Sequence, residues 1–64
     1  MITYFWIADR ARDHMGVWET THLTYAGKAR GGRIAAMEAE ARLGEGLRED
    51  QRVFSYGPVV DHDN

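Results

Sequence analysis

Residues 2–8, ITYFWIA, decide the fold. β-Branched and aromatic side chains fill this short run, and such bulk favours a pleated strand over a helix. Side chains alternate along a strand, so Ile2, Tyr4, Trp6 and Ala8 point one way and Thr3, Phe5 and Ile7 the other. Both sides are apolar. The pattern predicts a strand that is central in its sheet or covered on both faces.

Working outward, residues 9–16 (DRARDHMG) are charged and end in glycine, which predicts a turn. Residues 17–26 (VWETTHLTYA) predict a second strand. Neither of its faces is cleanly apolar, so it belongs at an edge, paired to the first as a hairpin. After Gly27 a helix is expected to begin between Lys28 and Arg33. Residues 33–43 (RIAAMEAEARL) are mostly strong helix formers, and Gly44 and Gly46 supply a stop. At helical spacing, Ile34, Met37 and Ala41 form one stripe, and Ala35, Ala36, Ala39 and Leu43 form another. A helix lying on one sheet needs a single stripe. The second is either merely exposed or covered by something else. Residues 49–60 predict a last strand; Pro58, which cannot donate to a ladder, either makes it an edge or ends it near Tyr56 with an extended tail beyond. The expectation is a single α+β domain over residues 1–64, β-β-α-β, with about three antiparallel strands and one helix on one face. A polar tail is expected to fray from about residue 61.

Phe5 and Trp6 carry the main consequence of this reading. They point to opposite faces, and one helix covers one face. The other face must find a loop, a second subunit or a target as its cover. The chain has 64 residues, and a domain of this length buries only about 60% of the surface its unfolded chain exposes. Homodimerisation would relieve that deficit.

The sequence has no cysteine, which excludes disulfides and thiolate metal sites and fits a reducing, cytoplasmic setting. No apolar run approaches the roughly 20 residues of a membrane span, and the start has no signal-peptide pattern. His14, His22 and His62 show no metal-ligand spacing, Ser55 is the only serine and nothing marks it as activated, and no phosphate-loop motif occurs. The expectation is a non-enzymatic protein without metal or cofactor.

Charge is segregated. Between residues 20 and 37 the charged groups are Lys28, Arg30 and Arg33, with no acid, whereas residues 38–64 hold seven acids against three arginines. Cations at a helix start oppose the helix dipole by a few tenths of a kcal/mol, so Lys28, Arg30 and Arg33 are candidate contacts for a nucleic-acid backbone. The acids Glu38, Glu45, Glu49 and Asp50, with the exposed-type aromatics Trp18 and Tyr25, are candidate contacts for a protein partner.

In size, lack of cysteine, mixed charge and lack of a catalytic motif, the chain resembles the very small proteins that phages and mobile elements encode against host defences, anti-CRISPR proteins among them. The resemblance is one of format and transfers no residue roles. It implies an inhibitor that occupies a surface of a host protein complex, such as a nucleic-acid-binding effector, blocking access to nucleic acid or recruitment of a nuclease. The alternatives are a small nucleic-acid-binding regulator using the basic helix start, with Arg10 and Arg12 as further phosphate contacts and Trp18 or Tyr25 stacking, and a homo-oligomeric or toxin–antitoxin component.

Overall fold

A computed structural model describes residues 1–62. The elements are β1 (Ile2–Arg12), β2 (Trp18–Arg30), α1 (Arg33–Glu45) and β3 (Gln51–Val59). The strands form one antiparallel sheet ordered β2-β1-β3, so the ITYFWIA strand is central and both neighbours are edges. This is the small α+β fold that the alternation pattern predicts. No helix among the described residues is long and apolar enough to cross a membrane.

Two strands outrun their expected bounds. β1 continues through Asp9–Arg12 and β2 through Lys28–Arg30, because the hairpin register pairs Arg12 with Trp18 at one end and Ile2 with Arg30 at the other. β3 pairs with β1 only as far as Asp9. Beyond Asp9 the hairpin is a two-stranded ribbon with water on both faces, where charged strand residues carry no burial penalty. Its tip is tied by Asp13, whose Oδ1 accepts the Met15 and Val17 N–H groups at 2.8 and 3.0 Å. The ribbon stretches the molecule to 47 Å in its longest dimension. The radius of gyration is 13.5 Å, against about 11 Å for a compact chain of this length.

Cross-strand partners share a face. On one face Thr3, Phe5 and Ile7 of β1 stand beside Ala29, Gly27 and Thr24 of β2, and Phe5 and Ile7 beside Ser55 and Val53 of β3. The helix covers this side: Thr3 and Phe5 line clefts with Ala36, Ala39 and Leu43. Phe5 is only 2% exposed and, with Ile2, Thr3 and Ala8, makes up the fully buried set. Burying a side chain of that size contributes roughly 1.5–3 kcal/mol, so a core this small leaves little reserve. Of the two helix stripes, the alanine–leucine one sits half-buried on the sheet. Ile34 and Met37 face outward at 74% and 67% exposure.

Gly57 shows how closely β3 is fitted to β1. Its φ is +126°, and a Cβ there would lie 2.7 Å from the Ile2 carbonyl oxygen and 3.0 Å from the Thr3 Cα. A register shift falls at this point, between the Ile2–Val59 and Tyr4–Tyr56 pairs. The α1–β3 connection is held by Asp9, whose Oδ1 accepts from Gln51 Nε2 at 2.8 Å and Arg48 Nη2 at 3.3 Å. The Arg10 N–H donates to the Asp50 carbonyl at 2.9 Å.

The tail expected to fray begins within the described region. Asp61 is half-buried and ion-paired with Arg30. Asp63 and Asn64 lie outside the described residues.

Candidate functional site

The second face of the sheet has no helix on it. Register places Tyr4, Trp6, Ala8, Arg10 and Arg12 of β1 on this side, flanked by Lys28, Tyr25, Leu23, Thr20 and Trp18 of β2. From β3 come Tyr56, Phe54 and Arg52. Tyr4 and Trp6 occupy the middle, their rings 6.5 Å apart and tilted by 40°. Trp6 meets Tyr25 edge-on at 5.8 Å. Edge-to-face and tilted packing of this kind holds rings in fixed orientations and leaves part of each π-face free. Tyr25, Phe54 and Tyr56 are roughly half exposed or more. The expectation that Phe5 and Trp6 cannot share one cover is met. Phe5 lies under the helix and Trp6 lies on the open side.

The cations of this face follow the same register. Arg10 and Arg12 are both close to the Trp18 ring, with guanidinium carbons 5.0 and 4.7 Å from its centroid. These are cation–π contacts that orient the guanidinium groups without neutralising them. Lys28 stands opposite Tyr4. Arg52 is opposite Ala8, its Nη1 donating to the carbonyls of Gln51 at 2.9 Å and Glu49 at 3.3 Å. The strand positions of the open face carry no carboxylate: Asp9 and Glu19 fall on the helix side by register. Asp61 borders the face at its Ile2 end, where it is engaged by Arg30.

A hollow of about 270 Å³ opens on this face, lined by Trp6, Thr20, Leu23 and Phe54. Ala8, between Leu23 and Arg52 in the register, is fully buried and is not among these lining residues. Larger concavities flank the helix on the other side. One, of about 300 Å³, is lined by Thr3 and Ser55 with Arg33 and Glu40 from the helix. The buried Thr3 hydroxyl has no hydrogen-bond partner among the described residues.

The structure separates the residues that the sequence suggested as groups. Lys28 and Arg30 are strand residues, not part of a helix start, because Ile2 and Tyr4 at the beginning of the central strand require them as ladder partners. Arg33 alone begins the helix, on the opposite side of the sheet. The basic helix start therefore does not exist as a patch, and Arg30 is committed to Asp61. The suggested protein-contact set also divides. Trp18 and Tyr25 lie on the open face, Glu38 and Glu45 lie on the helix, and Glu49 and Asp50 lie in the following connection, with Asp50 paired to Arg48 at 3.2 Å. Of the strand aromatics, sequence reasoning singled out Trp18 and Tyr25 as site residues and not Tyr4, Trp6, Phe54 or Tyr56, and it gave Arg10 and Arg12 only a secondary part. Their common alternation was the available signal, but the strand order was needed to bring them together. Among the described residues no group of three His, Asp or Glu side chains is placed to hold a metal ion. Comparison with protein-family models, with curated proteins and with solved structures finds no match.

Proposed function

We propose that the protein is a non-enzymatic binding module that holds single-stranded nucleic acid on the open face of its sheet. The observation that carries this reading is the composition of one surface. Aromatic rings from all three strands lie beside Arg10, Arg12 and Lys28, with no carboxylate at any strand position of that face. Bases stack on aromatic rings with little regard to sequence, at about 1–3 kcal/mol per base, while cations follow the backbone. A four-stranded sheet carrying stacking aromatics is one established way to build such a surface. The same charge pattern disfavours a two-fold homodimer through this face. An isologous contact would set cation against cation with nothing to neutralise them. Self-association, if it occurs, is better served by the exposed Ile34–Met37 stripe on the helix.

The second reading is the surface-occupying inhibitor of a host protein complex. Trp18 and Tyr25 favour it, being exposed residues of the type that dominates protein interfaces. Its acidic half faces elsewhere, so the inhibitor would have to engage its target from two sides.

Titration of the intrinsic tryptophan fluorescence with short mixed-sequence single-stranded DNA and RNA separates the two readings. The nucleic-acid reading expects saturable quenching that weakens with salt, together with a monomer mass in solution. No quenching at low salt would overturn it. A stoichiometric protein complex captured from a bacterial lysate and resistant to nuclease would favour the inhibitor instead.

A further inference from the structure

We infer that the hollow lined by Trp6, Thr20, Leu23 and Phe54 is a slot for one base of the bound strand. The inference rests on the single-strand reading of the open face and deepens it by naming the position where a base is held and not only stacked.

Three observations support it. First, the hollow has walls suited to a flat ring. Trp6 from the central strand and Phe54 from β3 stand on one side, and Leu23 from β2 stands across from them. Second, its volume of about 270 Å³ is below the range of pockets that enclose drug-sized ligands, and it suits a single ring system entering from above. Third, Thr20 is the one polar side chain in the lining, so the slot is built for a π-face with a single hydroxyl at hand for a base edge. Arg10, opposite Thr20, stands next to the slot, where a phosphate of the same nucleotide can reach it.

The test uses the full chain and a short fluorescein-labelled oligothymidylate, with a matched oligonucleotide carrying one abasic position. Leu23→Ala opens one wall of the slot from an exposed position without removing a ring or a charge. The expected result is about a tenfold loss of affinity, the share of one stacked base, with circular dichroism unchanged. The variant should also lose the wild-type preference for the intact over the abasic probe. Thr20→Leu replaces the one hydroxyl of the lining with a bulkier apolar side chain at an exposed position, and serves if Leu23→Ala does not fold. It too should flatten the abasic discrimination. If either folded variant binds and discriminates like the wild type while Trp6→Ala abolishes binding, the slot is overturned and the platform stands. If the wild type binds neither probe, both readings fall together.

Discussion

The Arg30 guanidinium donates to the Asp61 carboxylate across Ile2. Arg30 pairs with Ile2 from β2, and Val59 pairs with it from β3, so this ion pair spans the central strand at the end of the open face. Ile2 is 1% exposed beneath it, although its position belongs to the open side. Arg30 is largely exposed, and a pair with one exposed member contributes about 0.5–1 kcal/mol. Asp61→Asn should therefore lower the melting temperature by a few degrees, as expected of a domain this small. An unchanged melting curve would show that the pair adds nothing to the burial of Ile2.

Phe5 and Trp6 are neighbours in sequence, yet they should respond to truncation in opposite ways. Phe5→Ala empties the core beneath the helix and should cost about 3–5 kcal/mol, enough to unfold most of the population. Trp6→Ala removes a half-buried ring from the open face and should preserve the fold while abolishing oligonucleotide binding. Urea titration of both variants beside the binding assay decides the matter. Equal stability losses would contradict the assignment of faces.

Gly57→Ala places a methyl group against the Ile2 carbonyl and forces a left-handed φ on an L side chain. A loss of about 1–3 kcal/mol is expected. Gly46→Ala, with open space around it and an ordinary φ, is the matched control and should differ little from wild type. Chemical denaturation of the pair measures the contrast.

Binding to a single strand should show a slope of log affinity against log salt of about −2, from three backbone contacts by Arg10, Arg12 and Lys28. Replacing any one by glutamine should make the slope shallower by about 0.7. Arg33→Gln, on the helix side, should leave it unchanged. A salt-independent affinity would remove the electrostatic part of the proposal.

Glu38→Gln with Glu45→Gln alters only the helix surface and should not reduce oligonucleotide affinity. If those substitutions instead release a protein partner captured from lysate, the inhibitor reading gains what the nucleic-acid reading loses.

The elements were legible along the chain, and their order in the sheet was not. ITYFWIA could only be a strand with apolar neighbours on both sides. The mixed faces of the second strand marked it as outer, Pro58 left the third as an edge or a strand ending near Tyr56, and the alanine-rich segment formed the helix. These features follow from alternation and propensity, which act over a few residues and can be read along the chain. Which face the helix covers is settled by packing, because both helix stripes and both strand faces were apolar enough to serve. Choosing the alanine stripe lets the helix lie close on Phe5 and leaves Trp6, Tyr25 and Phe54 uncovered. Register decided the rest. It drew Lys28 and Arg30 out of a supposed helix start into β2, tied Arg30 to Asp61, and set Arg10 and Arg12 beside Trp18. These pairings join residues far apart in sequence, and they depend on the alignment of whole strands, which no local pattern specifies.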